Sequence, residues 1–395
     1  MEIHRTYRYR CYPTEAQKRQ LAQTFGCARY VYNWALEMRT DAYHEDGESV
    51  GYYETKRRLT KLKQRDDHSW LYNVSSVVLQ ESVRNLERAF TNFFEGRAQY
   101  PRFKRKHGRQ VAHYLKNAFT LSGDEKRPTV KLAKQSEPLE VRYSRDLPRE
   151  SSGGEVKKLC VTKDPAGRYH ICFTCVEVVD PLPEANSTVG VDLGLTDVVV
   201  TSDGFKSGNP KHYHSDLHRL RKAQRRLARK EKGSENWKKQ KRRVARIHAE
   251  IADKRKDFIH KLTTKLVREN QTVVVETLAV KHMQKNHSLA SHIADSAWGE
   301  IIRQLEYKCA WYGRELVKVD RWFPSTKRCS DCGDAGESKP LDVREWACKE
   351  CGSVHDRDVN AASNLKQVGT AGLAEAQRVL REGSGGQRKT SPAIA

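Results

Sequence analysis

The sequence has no run of eighteen apolar residues, so no segment reads as a bilayer-spanning helix and no membrane partner is expected. The opening MEIHRTYRYRCY lacks the apolar core of a secretory signal. The ten cysteines are therefore expected in a reducing compartment, as free thiols or on metal. Acids are also short: 50 Asp and Glu stand against 73 Lys and Arg, a net charge of +23. Such an excess points to a polyanion, nucleic acid before an anionic membrane surface. At 395 residues the chain has room for two or three domains. Composition alone describes a cytoplasmic nucleic-acid protein.

The most specific pattern lies in CSDCGDAGESKPLDVREWACKECGSVHDRDVNAASN, residues 329–364. Cys329/Cys332 and Cys348/Cys351 form two Cys-x-x-Cys-Gly knuckles with fifteen residues between them. Each knuckle brings two thiolates to one side of a tight turn, and two knuckles supply the four sulfurs of one structural Zn²⁺. Cys172 and Cys175 share the spacing but sit in a strand pattern, where a separation of three sends side chains to opposite faces. They read as packing residues.

Residues 3–11 alternate as a strand, and residues 12–100 read as a helical bundle inserted after it. In that bundle a long amphipathic helix is expected from Asn73 or Ser75 to Phe94, with Val74, Val78, Leu86, Phe90, Phe93 and Phe94 as its apolar stripe. YPRFKRKHGR follows, in which Tyr100, Arg102, Phe103, Lys104 and Arg105 interleave rings with cations as a nucleic-acid contact would. Residues 111–180 are β-like, with Asp164-Pro165-Ala166-Gly167 as a hairpin turn. With the first strand they suggest a barrel or sandwich assembled from residues 1–11 and 101–182.

After a Pro-rich linker, Val189-Gly190-Val191-Asp192 ends a buried-type strand on a carboxylate, and a hairpin follows. Residues 219–256 carry 17 Lys or Arg and 4 Asp or Glu. Gly233-Ser234 divides this run into two helical arms, and Arg225, Arg226, Arg242 and Arg243 are its candidate phosphate contacts. The strand Thr272–Glu276 ends on a second carboxylate, which is costly to bury without a partner. Asp358 opens the helix that follows the knuckles. Hairpin, helical crossover, parallel strand, further strand and helix make the layout of an RNase H-like sheet, with Asp192, Glu276 and Asp358 converging on one edge. Such a trio suits two Mg²⁺ ions, which favour oxygen ligands and cleave phosphodiesters. Asp197, Asp342 and above all Asp356 compete as ligands, and His355 reads either as a support behind a metal ligand or, by preference, as a local residue.

VGVDLGL, VVVETLAV, PSTKRCSDCG, WACKECG and HDRDVNAASN together resemble the signatures of TnpB-type (OrfB) proteins of insertion sequences, which are relatives of the type V CRISPR effectors. The similarity runs from the first strand to about Leu365. It implies a RuvC-like nuclease domain over 186–322 and 355–368, a zinc ribbon over 323–354, a wedge-like β-barrel over 1–11 and 101–182 and a helical recognition bundle over 12–100. It also implies a prokaryotic, nucleoid-associated RNA-guided DNA endonuclease, with guide RNA from the transposon end and double-stranded target DNA as partners. The family's acidic trio falls on Asp192, Glu276 and Asp358, and its zinc ligands on Cys329, Cys332, Cys348 and Cys351. Where the family often has Asp after the central glutamate, this chain has Thr277. Two other activities fit the same layout: a nuclease-inactive RNA-guided repressor and a strand-transfer transposase. Residues 369–395 are expected to be disordered.

Overall fold

The computed structural model describes residues 1–148, 153–337, 340 and 342–384, with 373–384 described as backbone. Two compact units divide the chain. The first comprises residues 2–178 with 230–246, and the second comprises residue 1, 179–229 and the chain from 247 on.

In the first unit, β1 (Glu2–Cys11) leads into α1 (Glu15–Asp46). A capping box starts this helix: Thr14 Oγ1 accepts from the Gln17 N–H, and Gln17 Oε1 accepts from the Thr14 N–H. Then come α2 (Tyr52–Lys63) and α3 (Ser76–Phe94). The stripe expected on α3 is mostly right, but Phe94 is 76% exposed and stacks on Phe90, while Leu79 and Val83 are buried in its stead. The remaining strands are β2 (Gln110–Leu115), β3 (Phe119–Ser122), β4 (Thr129–Leu132), β5 (Val141–Arg142), β6 (Glu155–Lys163) and β7 (Tyr169–Val178). Residues 164–167 turn β6 into β7 through a Gly167 N–H bond to the Asp164 carbonyl.

The strands form an antiparallel sheet in the order β2-β6-β7-β1-β5 and a separate β3-β4 hairpin. Its edges β2 and β5 are not paired with each other among the described residues, so backbone hydrogen bonds do not close the expected barrel. The reason is local: β5 is two residues long and meets only Arg10 and Cys11. Cys175 lies in the core, whereas Cys172 faces Cys160 across β6 and β7, as strand alternation requires.

The second unit is built on a mixed sheet in the order β11-β10-β8-β9. Its strands are β8 (Thr188–Asp192), β9 (Val200–Thr201), β10 (Thr272–Glu276) and β11 (Glu315–Val319). β10 runs parallel to both β8 and β11, while β9 is antiparallel to β8. Between β9 and β10 lie α4 (His212–Ser215), α5 (Leu217–Ala228) and α6 (Glu235–Glu269), with α6 in this unit from Ile247. Next come α7 (Val280–Met283), α8 (Ala290–Ser296) and α9 (Trp298–Tyr312). The small pair β12 (Glu345–Ala347) and β13 (Val354–Asp356) precedes α10 (Arg357–Ser384).

Both faces of the sheet are covered, which explains why Val273, Val274 and Val275 are all apolar. Val273 and Val275 pack with Ile259, Leu262, Leu266, Ile301 and Leu305 of α6 and α9. Val274 packs on the other face with Leu365 of α10. There α10 lies so close that a Cβ on Gly190 would fall 1.9 Å from the Ala362 carbonyl oxygen, and one on Gly369 would fall 2.5 Å from Val274. Glycine at these positions is a requirement of backbone approach. The expectation of disorder from residue 369 is corrected: the helix continues to Ser384. LAEAQRVLRE at 373–382 is rich in helix-forming residue types, which outweighs the Gly/Ser-rich end that suggested disorder. Residues 385–395 lie outside the described residues.

Candidate active site and metal centre

Alternation along the strands decides where the acids point. Gly190 and Asp192 share a face of β8, as Val274 and Glu276 share a face of β10. Gly190 and Val274 both meet α10, so the two carboxylates at the strands' C-terminal ends are directed to the α10 side. Val191 is opposite Val275, which places Asp192 and Glu276 side by side on adjacent strands. Asp358 lies in the first turn of α10, one turn before the Ala362 carbonyl that sits on Gly190. The three carboxylates thus come together at one edge of the sheet.

Asp192 is 9% exposed. Its pKa is pushed up to about 8, first by burial and then by the charges of Glu276 and Asp358. Burial also raises Glu276. Neither Asp192 nor Glu276 has an ion-pair partner among the described residues, and the nearby Arg357 only partly offsets the repulsion at Asp192. Crowded, buried, all-oxygen donors without a cation suit a hard divalent ion such as Mg²⁺.

Two of the rival acids are otherwise engaged, and the third, Asp342, is exposed in the segment between the knuckles. Asp356 caps α10 by accepting from the Asp358 and Val359 N–H groups, and it pairs with Lys206 at 2.6 Å. Burial works to raise its carboxyl, but Lys206 and the backbone donors hold it below the usual range. Asp197 accepts from the Gly208 N–H and so closes the hairpin. One participant was missed in the sequence. Arg344 pairs with Asp358 at 3.2 Å and donates to Thr196 Oγ1 at 2.9 Å, bridging the ribbon, α10 and the turn after β8. It stands in an aperiodic loop, and nothing in VREW signals a tertiary partner.

The four cysteines expected to bind zinc are assembled. Cys329 and Cys351 have sulfurs 3.7 Å apart, as do Cys332 and Cys348. Zinc–sulfur bonds of about 2.3 Å in a tetrahedron set sulfurs about 3.8 Å apart, so the cage fits Zn²⁺. Each knuckle closes by a glycine N–H bond, from Gly333 to the Cys329 carbonyl and from Gly352 to the Cys348 carbonyl, with both glycines at positive φ. Among the described residues, these thiols alone form a group whose ligand atoms all lie within 4.8 Å of one another; the three carboxylates are set wider. His355, read from sequence as merely local, places Nε2 3.0 Å from Cys329 Sγ under the Trp346 ring. α10 fastens the first knuckle. The Asn360 amide bonds the Ser330 N–H and the Arg328 carbonyl, Asn364 bonds the Ser325 and Arg328 carbonyls, and Gln367 bonds the Ser330 carbonyl. The 360/364/367 spacing marks one helix face and was a readable signal.

Comparison with known proteins gives the family of the chain. The OrfB/IS605 family model, described as "Probable transposase", matches residues 170–287, and a "Cas12f1-like, TNB domain" model matches residues 298–365. A "Helix-turn-helix domain" model of the same family matches residues 1–48, which here form β1 and the single long α1. A protein of Streptomyces pristinaespiralis described as "Putative RNA-guided DNA endonuclease" is 49% identical over 94% of this chain and 91% of its own length. The chain belongs to the TnpB (OrfB) family. A second TnpB-family relative, InsQ of Escherichia coli K12, carries the same description and is 30% identical over 95% of this chain and 94% of its own length. The fold matches Cas12f1 in a solved complex with sgRNA and target DNA, at a TM-score of 0.61 and 13% identity, over 92% of this chain and 99% of that one.

The expected nucleic-acid contacts of this TnpB-family chain divide by position. Tyr100 packs edge-on against Phe90 and Phe93, and its hydroxyl bonds Thr40. It helps anchor the basic loop. Phe103 is 56% exposed, and Arg102 and Arg105 are exposed. Lys104 is exposed as a residue and its backbone is held by the Asn33 amide, but its ammonium turns back over the Tyr32 ring at 3.7 Å, where loss of water pushes it down to about 8. Lys104 and Arg105 line a cavity of about 400 Å³ with Arg29, Asn85 and Arg109. Arg225 and Arg226 are exposed on α5 in the second unit; Arg242 and Arg243 are exposed on the part of α6 that belongs to the first. The latter pair lines a basic groove with Lys230, Lys239 and Arg246. Among the described residues, no helix is long and apolar enough to cross a membrane.

Proposed function

We propose that this chain is an RNA-guided DNA endonuclease of an insertion sequence, with an RNase H-like (RuvC-like) nuclease domain whose site is Asp192, Glu276 and Asp358. One observation carries the reading: three carboxylates from β8, β10 and α10 meet at one sheet edge, where burial first and the charges of Glu276 and Asp358 second push the Asp192 pKa up to about 8. A protein that only binds a polyanion has no need of all three carboxylates. Two Mg²⁺ ions held there would supply an activated water and the charge that stabilises a departing 3′ oxygen. The chain's own part is to fix the donors. β8 and β10 set two carboxylates at strand spacing, and the zinc-tied α10 sets the third. Arg344 balances Asp358 and holds it against the Thr196 turn. The cysteine cage holds one structural Zn²⁺.

In this reading, guide RNA from the transposon end reads the target DNA by base pairing, and the protein holds the heteroduplex by its backbone. The exposed arginines of α5 and α6 are the proposed backbone contacts, and the cavity beside Lys104 and Arg105 is suited to a short DNA segment next to the target.

Purified ribonucleoprotein incubated with matched duplex and Mg²⁺ tests the assignment. Asp192→Ala, Glu276→Gln and Asp358→Asn are each expected to cut cleavage by on the order of 10² to 10³ or more, with guided binding retained. Cleavage that survives Asp192→Ala would overturn the site. Guided binding without cleavage by the wild type would make the chain a repressor. Strand transfer without RNA would make it a transposase.

A further inference from the structure

β1 sends Tyr7, Tyr9 and Cys11 into the core of the first unit, so Arg8 and Arg10 face the other side of the sheet. There Arg10 lies directly opposite Arg142 of β5. Like charges facing each other across an antiparallel pair are destabilising. The arrangement is not relieved locally, since Arg10 Nη1 is buried without a hydrogen-bond partner. The two guanidiniums border a concavity of about 490 Å³ shared with Arg8, Tyr12, Ser144 and His170, and none of the described residues lining it is acidic. The acid acting on His170, Asp164, is held by Arg168.

The groups offered are of one kind. Arg8 Nη2 donates to His170 Nδ1 at 3.1 Å, because guanidinium has no acceptor. His170 is pushed down to about 4 by burial and by Arg8 and Arg10, so at neutral pH it is uncharged and its Nε2 carries the proton. Tyr12 is exposed, with the Arg10 guanidinium 5.6 Å from its ring centroid. Three cations, a hydroxyl, an imidazole N–H and a flat ring border a space that no acidic side chain among the described residues lines.

We propose that this notch is a phosphodiester-binding site, with Arg10 and Arg142 bracketing one backbone phosphate and Tyr12 stacking an adjoining base. None of its lining residues belongs to the acid cluster or to either basic segment described above. Its ligand chemistry belongs equally to RNA and DNA, and the paired arms of the test tell them apart.

The test uses the full-length Arg10→Gln/Arg142→Gln variant. In chloride buffer its melting temperature is expected to equal or exceed that of the wild type, because the repulsion is gone. Inorganic phosphate at matched ionic strength is expected to raise the wild type's melting temperature and leave the variant's unchanged. In salt titrations with a single-stranded RNA and a duplex DNA, the variant's log–log slope should shrink by about 0.7 for each phosphate no longer neutralised on the single strand, or about 0.9 on the duplex. The nucleic acid whose slope shrinks from wild type to variant is the ligand. Arg10→Lys/Arg142→Lys should keep most of the slope. A variant that melts lower in chloride, or slopes unchanged with both nucleic acids, overturns the proposal. Neither assay reads cleavage, so both stand if the endonuclease assignment fails.

Discussion

Asp192 is an acid whose neighbours oppose its ionisation, and that has a measurable sign. In metal-free protein the folded chain keeps this proton to about pH 8, whereas an unfolded aspartate releases it near pH ~4. Between those values the folded state binds more protons, so this residue makes stability fall as pH rises. Asp192→Asn removes the titration. The variant's melting temperature is expected to exceed the wild type's by a margin that widens from pH 5 to pH 8, and Mg²⁺ should raise the wild type far more than the variant. A margin that stays flat with pH would show that the carboxyl does not sit in a repulsive cluster. Residue identity told part of this in advance. A glutamate ending a Val-Val-Val strand and an aspartate ending Val-Gly-Val are both costly unless a cation is intended. Gly190 was equally informative, because a glycine inside a buried strand announces a close backbone, and α10 supplies it. Arg344 carried no such signal, since its partners Thr196 and Asp358 meet it only in the folded chain.

Among elements, the knuckles were the most legible because their geometry is local: two thiols and a glycine close one turn within five residues. The strands of the mixed sheet β11-β10-β8-β9 were legible through their apolar runs. The barrel was not, because closure depends on pairing between distant edges, and β5 offers only two residues to pair. The end of α10 was misread because Gly and Ser composition beyond it masked a helix-forming stretch. The cysteine cage and α10 are joined by the amides of Asn360, Asn364 and Gln367. Cys348→Ser is expected to lower bound zinc from one per chain to none by metal analysis. Hydrogen exchange should then speed up across residues 325–335, where Asn360, Asn364 and Gln367 attach, and cleavage should drop although no carboxylate has changed. Zinc loss with unaltered exchange in that segment would show that the amide ties are dispensable.

For the whole molecule, the net charge of +23 pointed to a polyanionic partner before any fold was known. It did not say where nucleic acid would lie, because exposed cations occur in both units. The arms of α5 and α6 make the largest single contribution. Glutamine at Arg225, Arg226, Arg242 and Arg243 together is expected to weaken RNA binding and to reduce the salt slope by about 0.7 for each phosphate that an arginine had neutralised. A slope that does not move would return these residues to ordinary solvated surface.

α10 also sets a ruler. Asp358 faces the carboxylates, while Asn360, Asn364 and Gln367 grip the knuckle, so their spacing is counted in helical steps of about 100° each. The segment between the two Cys-x-x-Cys turns can lengthen or shorten without disturbing this count, because both its ends are pinned at sulfur. A single residue added between Asp358 and Asn360 would swing the acid more than a quarter turn away from its companions. Length variation in descendants of this chain should therefore collect in the ribbon's loop and be absent from the helix's opening turn.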